Sequence, residues 1–320
     1  MAETMISVKV AAKSLEADNI YSFKLVSLEG DTLPSFSAGS HVDVEIKPGL
    51  IRQYSLCNEP SANHFYQIAV LRDPQSRGGS IAIHDEVEVG STLRISAPKN
   101  HFELVHEAQI SILFAGGIGI TPILCMAERL AMAGSEFRLH YCARAESAAA
   151  FTGRMRDSQF ADRVEFHFDD GNKDQTLDIH TIFETSARDA HIYVCGPKGF
   201  IDFVASTAKQ YGLPSEQIHF EHFAADPASV SGDAFDILLS SSGKVIHVAE
   251  EQTALEALAD AGIELDYSCE QGVCGTCVTR VLEGVPDHRD LYFNDEERRK
   301  NDQFLPCCSR SRSPRLVLDL

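Results

Sequence analysis

Three cysteines set close together, with a fourth far downstream, constrain this chain more than any other feature. Cys269-Glu-Gln-Gly-Val-Cys274-Gly-Thr-Cys277 gives C-x4-C-x2-C, and the next cysteines, Cys307 and Cys308, come thirty positions later. This spacing suits four thiolates converging on two irons and their inorganic sulfides. A loop turning so tightly needs residues without Cβ bulk, which Gly272 and Gly275 supply, and the neighbouring N–H groups can then point at the sulfurs. Zinc sites favour paired C-x2-4-C hooks over one trio and a remote ligand. The residues therefore point to a [2Fe–2S] cluster on Cys269, Cys274, Cys277 and one member of the adjacent pair.

The residues around this loop read as a unit of their own. A strand over Phe235 to Leu239, a turn at Ser242-Gly243, a strand over Lys244 to Val248 and a helix from Thr253 to Ala261, stopped by Gly262, precede it. Strands at Val278 to Leu282 and Leu316 to Leu318 would close the sheet, so an α+β, β-grasp fold is expected over 234–320. Five of the nine cysteines fall in the last 52 residues, which suits a metal centre better than a disulfide framework.

Upstream, strands alternate with helices. The apolar run Ile110 to Ala115 meets Gly116-Gly117-Ile118-Gly119-Ile120-Thr121-Pro122, and a helical pattern continues through Ile123, Met126, Ala127, Leu130 and Ala131 to Gly134. Thr121 is the expected N-cap, with Pro122 at the first helical position. Such a helix start offers unpaired N–H groups and a positive dipole end to a pyrophosphate. Strands at Phe137 to Cys142, Val164 to Phe168 and His191 to Cys195, the last leading through Gly196-Pro197 into a helix over Lys198 to Tyr211, predict an α/β parallel sheet that binds its ligand at the carboxyl ends of the strands. Arg144 and either Asp169 or Asp170 follow two of those ends, where an adenosine ribose is expected. No basic cluster awaits a 2′-phosphate, which favours NADH over NADPH.

A hydride donor and a one-electron cluster need an intermediary that stores two electrons and releases one, and a flavin does this. Residues 1–105 contain short alternating segments, such as Asn19 to Ser27 and His41 to Ile46, punctuated by Gly, Pro, Asn and Asp, which predict an antiparallel barrel. Two motifs within it suit a flavin. In Arg52-Gln53-Tyr54-Ser55 the guanidinium can pair with a phosphate, the phenol can lie on the isoalloxazine face and Ser55 can hydrogen-bond its reactive edge. The second is the turn Arg77-Gly78-Gly79-Ser80.

A formal net charge of -19 repels phosphate backbones and anionic membranes, so neither nucleic acid nor membrane is an expected partner, whereas a basic protein surface is. Glu264, Asp266 and Glu270, beside the cluster loop, are the expected docking charges. The opening segment MAETMISVKVAAKS has neither a basic nor an apolar signal region, and ISILFAGGIGI is too short to span a bilayer, so a cytoplasmic location is expected. Asp226 to Asp233, Asp-Pro-Ala-Ser-Val-Ser-Gly-Asp, reads as a short mobile linker.

Together the Arg-x-Tyr-Ser motif, the Gly-Gly-Ile-Gly-Ile-Thr-Pro turn, Cys195-Gly196-Pro197 and the cysteine motif resemble the phthalate dioxygenase reductase family, vanillate O-demethylase reductases included, over essentially the whole chain. The resemblance implies an FMN-binding barrel (1–105), an NADH-binding domain (106–225), a linker (226–233) and a ferredoxin domain (234–320) that serve a Rieske-type oxygenase. It places FMN on Arg52, Tyr54, Ser55, the strand Ala69-Val70-Leu71 and the Gly78-Gly79-Ser80 turn, the last holding the phosphate. Gly117, Thr121, Cys195, Gly196 and Pro197 match the nicotinamide side, and Phe223 matches an aromatic beside the flavin. Ser55, Cys195 and Phe223 would then border the hydride transfer. In Pro306-Cys307-Cys308-Ser309-Arg310 the match makes Cys307 the fourth ligand and Cys308 a variable position. Vanillate, phthalate and carnitine stay open as substrates of the oxygenase. The same electron path could instead end on a separate ferredoxin, a cytochrome or a diiron oxygenase, and a non-catalytic redox sensor is the rival from another class.

Overall fold

The computed structural model describes residues 5–74, 78–105, 108–171, 175–186, 189–223 and 231–320. The chain divides into two compact units, one ending at Glu221 and the other beginning at His222.

Period-two alternation through the first hundred residues gives each strand one apolar face. β1 (Ile6–Ala17), β2 (Ile20–Ser27), β3 (Ser40–Lys47), β4 (Leu50–Ser55) and β5 (Tyr66–Leu71) are followed by helix α1 (Gly79–Glu86), β6 (Thr92–Ile95) and β7 (Lys99–Asn100). The strands form one sheet in the order β4-β3-β6-β1-β2-β5, with β7 on β3, and all pair antiparallel. A bridge from Leu56 to Ile68 joins the two edges, so the sheet closes into the expected barrel. Val8, Phe23, Leu25, Val44, Ile68 and Ile95 fill its interior. The Gly78-Gly79-Ser80 segment is more than the expected turn, because Gly78, at φ +83°, caps α1.

Within the same unit, β8 (Ile110–Gly116), α2 (Ile120–Ala133), β9 (Glu136–Ala143), α3 (Thr152–Arg156), β10 (Val164–Phe168), α4 (Ile179–Thr185), β11 (His191–Cys195), α5 (Lys198–Gln210) and β12 (Ile218–Glu221) form the α/β layer. Its five strands are parallel, in the order β10-β9-β8-β11-β12. The order reverses between β8 and β11, so a crevice opens where the chain leaves them, at Gly116-Gly117 and at Gly196-Pro197.

Thr121 is not the cap of α2. Gly117–Gly119 wind one 3-10 turn and Gly119 occupies the cap position, so Thr121 lies inside the first turn, its hydroxyl donating to the Ile118 carbonyl at 3.1 Å. A Cβ on Gly119 would collide with the backbone of Cys195 and Gly196. The helix must therefore start beneath the end of β11, where only glycine fits.

In the second unit, β13 (Phe235–Leu239), β14 (Val245–Val248), α6 (Ala254–Asp260), β15 (Thr279–Glu283), β16 (Pro286–Asp287), α7 (Asp295–Lys300), β17 (Gln303–Phe304), β18 (Arg310–Ser311) and β19 (Arg315–Leu318) follow in order. β13 pairs parallel with β19 and antiparallel with β14, and β15 lies beyond β19. Thr253 and Glu256 form a capping box at the start of α6, which packs Ala254, Ala257 and Leu258 into the core under this sheet. Most of the expected linker lies outside the described residues. Its last residues, Ser231 to Asp233, are hydrogen-bonded within the second unit: Arg289 donates to the Ser231 carbonyl at 2.7 Å, and the buried Arg310 donates to the Gly232 and Asp233 carbonyls at 3.2 and 3.0 Å. Among the described residues no helix is long and apolar enough to cross a membrane.

Candidate cofactor and cluster sites

In the first unit, β4 places Arg52, Tyr54 and Ser55 in register. Arg52 is buried and lies across the first turn of α1, since a Cβ on Gly79 would come 2.6 Å from its Cγ and 2.8 Å from its Nε. A guanidinium beside a helix N-terminus is a seat for an anion. Tyr54 packs against the barrel core, and burial pushes its phenol well above the ordinary range. Ser80 is less available than its motif suggests, because its hydroxyl accepts from the Asp73 amide at 3.1 Å. On β5, Ala69 and Val70 are buried and Leu71 is partly exposed. The Val70 carbonyl already accepts from His84 Nε2 at 2.7 Å, a ring whose proton affinity burial lowers.

The barrel and the parallel sheet meet at a residue that sequence reasoning passed over. Ser55 Oγ donates to Glu221 Oε2 at 3.4 Å, and Glu221 stands beside Cys195 in the β11–β12 register. Burial pushes the Glu221 carboxyl up to about 8, and burial followed by the Glu221 charge raises the Cys195 thiol well above its usual range. Ser55 and Cys195, predicted from different thirds of the chain, thus converge through Glu221. Its signal was a carboxylate at the carboxyl end of a strand, one position before the His222-Phe223 pair. Gly117, at φ +54°, and Gly196-Pro197 border the same crevice. Phe223 is half-buried at the start of the second unit.

Arg144 and Asp169 leave adjacent strands, and their loops are tied together: the Asp169 amide donates to the Ala143 carbonyl at 3.1 Å and the Asp170 amide to the Arg144 carbonyl at 3.2 Å. The side chains of Arg144, Asp169 and Asp170 are exposed at the carboxyl ends of β9 and β10.

In the second unit the expected cysteines converge. Cys269 hydrogen-bonds Cys274, and Cys277 hydrogen-bonds Cys307; the first contact lowers the Cys274 thiol, and both contacts, with burial, raise Cys269 and Cys277. The Gln271 amide donates to Cys269 Sγ at 3.3 Å, and Thr276 lies 3.2 Å from Cys274 Sγ. Gly272 and Gly275 adopt φ +71° and +75°; a Cβ on Gly275 would collide with the Tyr292 ring, and one on Gly272 would come 2.5 Å from Cys308 Sγ. Cys308 thus fills the space behind the loop while Cys307 faces Cys277. Four converging sulfurs with backbone donors aimed at them fit a [2Fe–2S] cluster. Glu264 and Asp266 are exposed nearby in sequence, and Glu270 is half-buried.

Comparison with known proteins agrees with both halves of this geometry. Residues 113–206 match the oxidoreductase NAD-binding domain family and residues 237–312 the 2Fe-2S iron-sulfur cluster binding domain family. The vanillate O-demethylase oxidoreductase of Pseudomonas sp. (strain HR199 / DSM 7063) is 50% identical over 318 residues, 99% of this chain and 100% of that one. The phthalate 4,5-dioxygenase oxygenase reductase subunit of Pseudomonas putida is 40% identical, covering 98% and 96%. The solved phthalate dioxygenase reductase, described as a modular structure for electron transfer from pyridine nucleotides to [2Fe-2S], superposes with a TM-score of 0.83 at 38% identity over 99% of this chain and 98% of that one. A flavin-type antiparallel barrel, a parallel nucleotide-binding sheet and a four-cysteine cluster loop follow one another along one chain, and that chain belongs to the phthalate dioxygenase reductase family of NADH-dependent iron–sulfur oxidoreductases.

Proposed function

We propose that this protein oxidises NADH and passes its electrons singly to a Rieske-type oxygenase component. When bound, FMN exchanges a hydride for single electrons and the [2Fe–2S] cluster carries them onward. The observation that carries the reading is the meeting of Ser55, Cys195 and Glu221 at the switch-point crevice, on a chain whose other unit gathers Cys269, Cys274, Cys277 and Cys307.

The residues of the chain bind and orient. Arg52 and the start of α1 seat the flavin phosphate, Tyr54 and the Ala69-Val70-Leu71 strand line its ring, and Gly117, Thr121, Gly196 and Pro197 admit the nicotinamide half of NADH. Glu221, whose carboxyl burial pushes up to about 8, accepts the Ser55 hydroxyl and holds it in place. Asp169 supports the adenosine ribose, and the paired acidic side chains of Asp169 and Asp170 disfavour a 2′-phosphate. We assign 1–105 to the flavin, 106–225 to NADH and 234–320 to the cluster.

The 50% identity to a vanillate O-demethylase oxidoreductase supports an oxygenase of that kind as the acceptor, met by the acidic side chains of Glu264 and Asp266. The test is steady-state turnover with purified vanillate O-demethylase oxygenase. NADH consumption should depend on both oxygenase and vanillate and should slow as salt rises. Consumption independent of the oxygenase would overturn the proposed acceptor.

A further inference from the structure

The nucleotide-binding sheet carries a set of three metal-ligating side chains that electron transfer does not use. In the parallel register His140 of β9 lies opposite Glu165 of β10, and His167 follows two residues later on the same face. One ligand atom from each lies within 4.8 Å of the others. His140 Nδ1 stands 3.1 Å from His167 Nε2 and 3.7 Å from Glu165 Oε2. Ligands bound at about 2.0–2.2 Å around a tetrahedral cation stand roughly 3.3–3.5 Å apart, and the two separations from His140, 3.1 and 3.7 Å, bracket that spacing.

We infer that His140, Glu165 and His167 bind a borderline divalent cation of the zinc type. His167 Nδ1 faces the Gln175 carbonyl at 3.0 Å. A carbonyl only accepts, so Nδ1 carries the hydrogen and Nε2 turns its lone pair toward His140. This is the outer-shell contact that orients a ligating imidazole. His140 is fixed between Phe114 and His167, with ring centroids 5.3 and 5.4 Å away, and at 3% exposure it has no room to swing out. With no cation its Nδ1 must donate to His167; a bound cation takes the place of that hydrogen, and the ring proton moves to Nε2. The Glu165 side chain is 57% exposed, which opens the site to entry and leaves room for water at a fourth position.

The opposite edge of the sheet supplies a built-in comparison. His191 Nδ1 and His219 Nε2 are 2.9 Å apart and their rings are stacked, yet among the described residues no carboxylate or thiolate completes a three-ligand set around them. A histidine pair alone should not retain the cation. Bound at His140, Glu165 and His167, the cation would pin edge strand β10 to β9 two residues before Asp169.

The test uses full-length protein loaded with flavin and cluster, cleared of adventitious metal and dialysed against low-micromolar Zn2+, with zinc, iron and flavin then counted per chain. Wild type and His191→Gln should each retain one zinc, His167→Gln none, and the exposed Glu165→Gln should bind at least tenfold more weakly, all with unchanged iron and flavin. Added zinc should raise the thermal midpoint of the wild type and leave that of His167→Gln where it was. If fully loaded wild type retains no zinc, or if His167→Gln and Glu165→Gln retain as much as wild type, the site does not exist.

Discussion

Adding one methyl group at Gly272 separates the two demands made on the cluster loop. The backbone there is left-handed, and a Cβ would come 2.5 Å from Cys308 Sγ and 3.1 Å from Asp290 Cα. Alanine in that conformation costs about 1–2 kcal/mol, and displacing the buried Cys308 thiol adds about 1–3 kcal/mol of overpacking. Gly272→Ala should therefore lower the unfolding free energy of the loaded protein by about 2–5 kcal/mol and reduce its iron content. Cys308→Ala removes the obstructing sulfur and should keep its cluster. Combined with it, Gly272→Ala should recover the share due to Cys308 and retain the backbone cost of about 1–2 kcal/mol with the tight approach to Asp290. Anaerobic urea unfolding, followed through the visible circular dichroism of the cluster, measures all three variants against the wild type. A double variant no more stable than Gly272→Ala would refute the steric argument, and loss of the cluster in Cys308→Ala would make Cys308 the ligand.

Other residues yield equally direct expectations. Burial raises the Glu221 carboxyl from 4.5 to about 8, so the folded chain keeps a proton that the unfolded chain releases, and stability present below about pH 4.5 declines as pH rises toward 8. At about 1.4 kcal/mol per tenfold in proton affinity the ceiling is roughly 5 kcal/mol, and partial solvent screening leaves about half of it. Glu221→Gln should flatten this decline in thermal unfolding of the flavin-free protein, and an unchanged slope would refute the burial argument. Arg52→Ala removes a charge-assisted contact worth about 1.5–3 kcal/mol and should weaken FMN binding at least tenfold in a fluorescence titration, whereas Ser80→Ala, whose hydroxyl is engaged by Asp73, should not; equal effects would misplace the phosphate. Asp169→Asn should raise KM for NADH and narrow the preference over NADPH in steady-state assays, and unchanged constants for both nucleotides would remove Asp169 from the ribose site.

The sequence disclosed those features in which one local pattern carries the constraint. Cysteine spacing located the cluster loop, glycines at a strand end located the nucleotide crevice, and period-two alternation located the barrel. Helix α1 escaped because Ile81 and Ile83 alternate as they would in a strand, and what fixes the helix is the packing of Ile83 and Val87 into the barrel core. The shift of the α2 cap from Thr121 to Gly119 follows from contact with the end of β11, far away in sequence. Glu221 matters only once β12 sets it beside Cys195 and the barrel brings Ser55 to it. The engagement of Ser80 by Asp73 and of the Val70 carbonyl by His84 is likewise tertiary. His140, Glu165 and His167 form a group only across two paired strands.

The most direct test of the electron path is an anaerobic NADH titration of the purified protein, followed by visible absorbance and low-temperature EPR. The account predicts uptake of about three electrons, two by the flavin and one by the cluster, with flavin bleaching and a reduced [2Fe–2S] signal that Cys307→Ser alters and Cys308→Ser does not. Well-folded protein that carries no flavin or no cluster, or a cluster that NADH leaves oxidised, would contradict it.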